Sequence, residues 1–373
     1  MFDLNSALRR VVERGGSDLH LKAGSAPLLR INGELDWLDP DAAPLDPGAT
    51  AGVLRELVSE ERVKEFERDR ELDCSHIVPE MGIFRVNAYM QRGSVALVMR
   101  AIRATIPTID ELGLPDVVRR LVEERRGLVV VTGPTGCGKS TTLAAMIGHV
   151  NATSRKHIVT IEDPVEYHHA DDLASIDQRE VGSDTESFAI ALRQVLRQDP
   201  DVILIGEMRD KESVRTALSA AETGHLVLAT LHTLDAAETI NRLLDFFEDG
   251  EQQQMRALIA GTLKGVISQR LVATADRSTR TAIVEVLTMT NRVHDMIVDP
   301  SKTAQLHDAI RDGAYYGMQT FDQGFCAAVL RGDIDIEEAL HHASAPQDLK
   351  LLIASDGRLR TSMADVPVSP QRA

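Results

Sequence analysis

Gly127-Leu128-Val129-Val130-Val131-Thr132 runs straight into Gly133-Pro134-Thr135-Gly136-Cys137-Gly138-Lys139-Ser140-Thr141, and this stretch decides the fold. The apolar run has the make-up of a strand buried on both faces. The glycine-rich turn ending in Lys-Ser is the phosphate-binding P-loop pattern, which requires a strand before it and a helix after it. Its glycines let the backbone wrap closely around a polyphosphate, because they adopt dihedrals that residues with side chains avoid. Amide N–H groups then point inward, and a helix beginning near Lys139 adds its positive end. Lys139 is placed to reach the β- and γ-phosphates, and the Ser140 hydroxyl to hold Mg²⁺. Residues 133–141 are thus the candidate residues for binding a nucleoside triphosphate. Cys137 contributes chiefly backbone and reads as a small spacer, its thiol an incidental oxidation risk.

Working outward, apolar runs at 128–132, 157–162, 202–206 and 226–231 alternate with helical patterns at 139–151, 186–197 and 210–222. In the second of these helices Phe188, Leu192, Val195 and Leu196 line one face. The alternation predicts a doubly wound α/β core with the nucleotide at the carboxyl ends of the strands. Beyond about Asp235 the pattern reads as mainly helical. The first hundred residues differ. A helix over 5–14, strands at 18–21, 28–31, 83–89 and 95–102, a turn at Asn32-Gly33 and a charged helix over 52–68 predict a small α+β domain with a mostly antiparallel sheet. Pro107 and Gly113-Leu114-Pro115 mark the connection. The expected division is 1–103, a linker 104–112, a main domain 113–354 and a polar, proline-bearing, disordered tail 355–373.

Three clusters sit where the strands end. Thr160-Ile161-Glu162-Asp163-Pro164-Val165-Glu166 crowds carboxylates that repel unless a cation or ordered water lies among them, which suits Mg²⁺ and water positioning; a solvated acidic turn accounts for the pattern as well. Asp201-Val202-Ile203-Leu204-Ile205-Gly206-Glu207 is a Walker B-like strand, and Glu207 is the candidate to prepare the attacking water. Thr223-Gly224-His225 and Thr230-Leu231-His232-Thr233 bracket one strand with histidines, His232 at its carboxyl end and able to approach the γ-phosphate. Metal-ligand candidates are Ser140, Glu162 and Glu207.

At 373 residues the chain is long enough for two or three domains, and a hydrophobic content of 43% supports sizeable cores. The net charge of −16 and an aromatic content of 3% argue against nucleic-acid binding, which needs a basic face and stacking platforms. No apolar run reaches the ~20 residues of a membrane span and no signal peptide is visible. The three cysteines, Cys74, Cys137 and Cys326, show no metal-ligand spacing, as expected of a reduced, cytosolic protein.

In order, the P-loop, Thr160-Ile161-Glu162-Asp163-Pro164, Asp199-Pro200-Asp201 through Glu207-Met208-Arg209-Asp210, and the two histidine segments resemble the secretion-ATPase superfamily. The likeness is strongest to the type IV pilus retraction ATPases (the PilT/PilU family) and covers roughly residues 5–350. It includes Gly15-Gly16-Ser17-Asp18-Leu19-His20, Phe84-Arg85-Val86-Asn87-Ala88-Tyr89, Gln178-Arg179-Glu180-Val181-Gly182 and Gly317-Met318-Gln319-Thr320-Phe321-Asp322. The resemblance implies a PAS-like N-terminal domain, a RecA-like P-loop ATPase domain with a helical C-terminal region, and a homohexamer. It further implies ATP in a cleft between the domains, completed by arginines of the N-terminal domain. Arg85 and Arg100 fit that role, with Arg92 and Arg103 as further candidates. The implied catalytic set is Glu207, Glu162, Asp163, His232, His225, Arg85 and Arg100, and the implied cofactors are ATP and Mg²⁺. The implied partners are an inner-membrane pilus platform protein and a paralogous retraction ATPase, at the inner face of the cytoplasmic membrane. Pilus-assembly and type II secretion ATPases usually add an N-terminal domain and a four-cysteine zinc site, neither of which is expected here. A nucleotide-gated scaffold is the third alternative, disfavoured by Glu162, Glu207 and His232. Two segments depart from a simple match. Asn291-Arg292-Val293-His294-Asp295-Met296-Ile297-Val298 stands where retraction ATPases carry Ala-Ile-Arg-Asn-Leu-Ile-Arg-Glu, keeping only the amphipathic pattern. Glu338-Ala339-Leu340-His341-His342-Ala343 is closer to PilU-like proteins.

Overall fold

The computed structural model describes residues 2–31, 33–78, 81–102 and 105–355. Asn32, Arg103 and the tail 356–373 lie outside the described residues. The chain forms two compact units: Met1–Ile106 with Val159–Asp171 and Ile176–Ala191, and Pro107–Ile158 with Asp172–Ser175 and Leu192–Ala373.

The first unit holds an antiparallel sheet of β1 (Asp18–Lys22), β2 (Leu28–Ile31), β3 (Glu34–Trp37), β4 (Glu71–Val78), β5 (Gly82–Gln91) and β6 (Ser94–Ala101), in the order β3-β2-β1-β6-β5-β4. Because successive strand residues face opposite ways, Leu19, Leu29, Phe84, Val86, Leu97 and Met99 all reach one face. There they share a core with Leu4, Leu8 and Val11 of helix Leu4–Glu13 and Phe66 of helix Glu60–Asp69. The register sets Arg30, Asp18, Arg100 and Arg85 in one line across four strands on the other face. The single helix expected over 52–68 is two, Pro47–Leu57 and Glu60–Asp69. The break falls at Val58-Ser59, where the Ser59 hydroxyl accepts from the Arg62 amide and starts the second helix.

The other sheet has seven strands: β7 (Gly127–Thr132), β8 (His157–Glu162), β9 (Ser175–Glu180), β10 (Val202–Ile205), β11 (Leu226–Leu231), β12 (Leu263–Ala273) and β13 (Arg280–Thr288). Their order is β13-β12-β7-β11-β10-β8-β9. β10, β11, β7 and β12 are parallel, and β13 closes the edge antiparallel to β12. The alternating βα pattern thus gives the parallel core it predicts, with β7, β10 and β11 wholly buried. Beyond Asp235 the described chain is mainly helical, as expected, but β12 and β13 form a long hairpin within it that the sequence reading did not foresee. Helix Asp249–Thr262 passes directly into β12 at Leu263 with no connecting loop, and Gly261 and Gly265 are the local marks of the change. Helix Asn291–Val298 keeps the amphipathic pattern, burying Val293, Met296 and Ile297. The buried Arg256 guanidinium donates to its Ile297 carbonyl, 3.0 Å away.

Candidate nucleotide site

The loop after β7 turns through three glycines in the left-handed region, Gly133 (φ 138°), Gly136 (78°) and Gly138 (93°). At two of them there is no room for a side chain. A Cβ on Gly133 would lie 2.4 Å from the Gln269 carbonyl oxygen, and one on Gly138 2.8 Å from Gln269 Nε2. Helix Lys139–Thr153 starts at Gly138 with no side-chain cap, so its first N–H groups face the loop rather than a capping oxygen. Lys139 curls over the loop: Nζ donates to the carbonyls of Gly133 (2.8 Å) and Pro134 (3.0 Å) and lies 3.5 Å from His232 Nδ1. The Cys137 side chain is buried and burial pushes its thiol pKa up. The thiol is therefore shielded and protonated, contrary to the oxidation risk its loop position implied.

Parallel register brings the next two groups to the same level. Leu231 pairs with Thr132, so His232, one residue on, emerges beside the P-loop. Its Nε2 is 3.1 Å from Glu207 Oε1, while Arg209 Nε donates to Glu207 Oε2 at 2.8 Å. An ammonium only donates, so Nδ1 accepts from Lys139 and the Nε2–H donates to Glu207. Arg209, Glu207, His232 and Lys139 form one continuous chain across the ends of β10, β11 and β7. Thr230 Oγ1 donates to the Gly206 carbonyl at 2.5 Å and the Met208 amide to the Thr230 carbonyl, fixing the turn that carries Glu207. His225 is not brought to this cluster. Leu226 pairs with Gly127, at the opposite end of β11, six strand residues or about 20 Å away. There its Nδ1 sits 3.0 Å from the Ala220 carbonyl.

In the first unit, Glu162 accepts from Thr160 Oγ1 (2.7 Å) and Gln178 Nε2 (3.2 Å), and burial raises its pKa. Glu180 is buried and accepts from the Ser75 and Val165 amides, both at 3.1 Å. Arg85 is half-exposed, 3.8 Å from Glu166. Arg100 Nε lies 2.7 Å from Asp18, whose carboxylate is buried. Burial alone would raise the Asp18 pKa, but hydrogen bonds from Ser17 and Arg100 outweigh it and the net direction is down. Arg92 holds a left-handed backbone (φ 50°) between β5 and β6.

Sequence reasoning missed Gln269, on β12. It is buried, its Nε2 donates to the Cys137 carbonyl at 2.6 Å, and its Oε1 accepts from Thr142 Oγ1 at 2.8 Å. Beside it the buried Ser268 and Thr132 hydroxyls join β12 to β7, 2.9 Å apart. The sequence trace was a polar triplet, Ser268-Gln269-Arg270, interrupting an apolar run.

Comparison with known proteins finds relatives over most of the chain. A family model described as "Type II/IV secretion system protein" matches residues 83–341. The chain is 42% identical over 346 residues to the type IV pilus retraction ATPase PilT of Pseudomonas aeruginosa, covering 93% of this chain and 99% of that one. It is 40% identical over 351 residues to the type IV pilus ATPase PilU of the same organism, covering 94% and 91%. Among solved structures, the pilus retraction motor PilT with bound ADP superposes with a TM-score of 0.86 at 40% identity, over 94% of this chain and all (100%) of that one. The Legionella pneumophila ATPase DotB gives 0.81 at 27% identity, over 94% and 95%. The chain belongs to the type II/IV secretion ATPase family, in the PilT/PilU group of type IV pilus retraction ATPases.

Proposed function

We propose that this protein is a hexameric motor that hydrolyses ATP to power type IV pilus retraction, and hence twitching motility, by acting on an inner-membrane pilus platform. In this reading residues 1–103 form a PAS-like domain and residues 113–354 a RecA-like ATPase domain, and the ring works at the inner face of the cytoplasmic membrane. The observation that carries it is the Lys139–His232–Glu207 chain at the ends of three neighbouring parallel strands. The likeness to retraction ATPases over nearly the whole chain points the same way.

Residues 133–141 bind the phosphates, and Lys139 exchanges its loop carbonyls for β- and γ-oxygens. His232, once Lys139 moves, turns Nδ1 toward the γ-phosphate and reports its presence. Glu207 then orients the attacking water and draws its proton for in-line displacement. Arg85 and Arg100 stabilise the charge spread over the transferring phosphoryl group, a task for which a guanidinium is well shaped. Asp18 holds Arg100 in one direction. Glu162 and Asp163 order water near the site. Among the described residues no group of three or more acidic, histidine or cysteine side chains is built to hold a metal. Ser140, Glu162 and Glu207 are the residues that would hold a Mg²⁺ ion entering with the nucleotide. When bound, Mg²⁺ neutralises phosphate charge.

Deletion of the gene in its host, with surface pili counted by microscopy, tests the direction of the motor. Surplus pili with lost twitching support retraction; bald cells would show an assembly motor instead.

A further inference from the structure

A P-loop binds phosphate only while its peptide N–H groups point inward. Something must therefore hold the carbonyls of the same peptides outward. In a planar trans peptide the C=O of one residue and the N–H of the next point in opposite directions. The peptide joining Cys137 to Gly138 has its carbonyl on Gln269 Nε2, 2.6 Å away. Its Gly138 N–H is thereby turned away from β12, toward the hollow of the loop. The Gln269 amide in turn has only one orientation that works. Its oxygen accepts from Thr142 Oγ1 at 2.8 Å, which leaves the NH₂ end for Cys137. Thr142 lies on the first turn of the helix the loop feeds, and it is buried, as is Gln269. A buried carbonyl without a donor is costly, so this bond does not trade freely for water. Crowding adds to it, since Gly133 and Gly138 both lack space for a Cβ because of Gln269 atoms.

We infer that Gln269 is a positioning residue for nucleotide binding: oriented by Thr142, it locks the Cys137–Gly138 peptide so that the Gly138 amide faces the phosphates. This rests on the P-loop reading and adds to it a residue more than a hundred positions away in the chain. The Gln269 side chain reaches the phosphates only through the loop, so its loss acts on ground-state affinity more than on the chemical step.

The test is titration of the full-length protein with a fluorescent ADP, together with steady-state hydrolysis, in Gln269→Glu, Gln269→Leu, Thr142→Val and Thr142→Ser. Gln269→Glu keeps size and shape but sets a carboxylate oxygen against the Cys137 carbonyl. Both Gln269 variants are expected to weaken ADP binding about tenfold to a hundredfold, raising KM for ATP while kcat at saturation stays within about threefold. Thr142→Val frees the amide to flip and is expected to weaken binding about fivefold, whereas Thr142→Ser keeps the hydroxyl and restores it. Should Gln269→Leu prove unstable by circular dichroism, the Thr142 pair decides alone. Wild-type affinity in folded Gln269→Glu, or equal affinities in Thr142→Val and Thr142→Ser, overturns the inference. Lys139→Ala is the control: if it abolishes binding while the Gln269 variants bind normally, only the positioning role fails. If it too binds normally, the P-loop reading falls and the inference with it.

Discussion

The two ends of β11 carry a histidine each, and their surroundings differ completely. His232 leaves the strand beside Lys139 and Glu207, where parallel strands present their carboxyl ends and a helix presents its start. His225 enters the strand beside Gly127, with its ring on the last turn of helix Lys211–Thr223 and its carbonyl accepting from the Gly127 amide. The same residue type is a link in a polar chain at one end and a helix terminator at the other. What separates them is register. Pairing Leu231 with Thr132 puts only the far end of β11 level with the P-loop, and every other group of the cluster is gathered there by the same parallel alignment.

The contrast is broken or sharpened most strongly at Glu207. Its two oxygens are taken by Arg209 and His232, and through His232 it is joined to Lys139. Glu207→Gln preserves the acceptor toward Arg209 but cannot take a proton. Turnover is expected to fall about a hundredfold to ten-thousandfold with ADP affinity kept, as read by phosphate release and nucleotide titration. Unchanged turnover would remove Glu207 from the chemistry. His232→Ala follows with a loss of about a hundredfold in kcat, the scale of one lost hydrogen-bonding group at a phosphoryl-transfer centre. Loss of affinity alone would make His232 a binding residue only.

A smaller effect is expected where the His232 end is propped from beneath. Ala236 opens helix Ala236–Asp245 just after His232, and its amide donates to Glu285 Oε1 of β13 at 3.0 Å. Burial pushes the Glu285 pKa up to about 7, against the lowering influence of the Ala236 hydrogen bond and Arg270, with Asp235 and Asp322 adding to the rise. The folded chain thus keeps a proton that the unfolded chain releases near an ordinary carboxylate pKa. Raising pH through that window favours the unfolded state, so stability is lost between about pH 4.5 and pH 7, by on the order of 3 kcal/mol. Glu285→Gln keeps an acceptor for Ala236 and removes the titration. Its Tm is expected to fall less than that of the wild type between pH 5 and pH 8; parallel Tm–pH curves would refute the assignment.

Legibility in the sequence divides along the same line. The strands at 157–162 and 226–231 stand where their apolar runs put them, because a strand buried on both faces announces itself by composition. The P-loop, Glu207 and His232 are contiguous with those strands and could be read from them. β12 could not. It follows a helix without a break, and its Ser268 and Gln269 look like poor core residues until Thr132, Thr142 and Cys137 supply their partners. Arg100 could be nominated from its segment. Its partner Asp18 came into view only through the antiparallel register that sets them opposite one another. Local patterns identify groups that act near their own strand, whereas groups that act through a distant backbone become visible only once pairing is known.

The smallest effect, and the most direct check on the contrast, belongs to His225. Its ring makes one 3.0 Å contact to the Ala220 carbonyl, and its backbone amide bonds to the same oxygen at 3.1 Å. His225→Ala therefore removes one of four donors that converge on this carbonyl at a helix end Gly224 already terminates, and leaves it paired with the Thr223 hydroxyl and the Gly224 and residue 225 amides. The expected cost is about 1 kcal/mol, a Tm decrease of about 2–4 °C, with kcat and KM within about twofold of wild type. A tenfold fall in kcat at unchanged stability would mean that both ends of β11 act on the nucleotide. Since one P-loop cannot be level with both ends of one strand, the second contact would then have to come from another copy of the chain. The same measurement thus reports whether the chemistry is confined to the carboxyl ends of this subunit's own sheet.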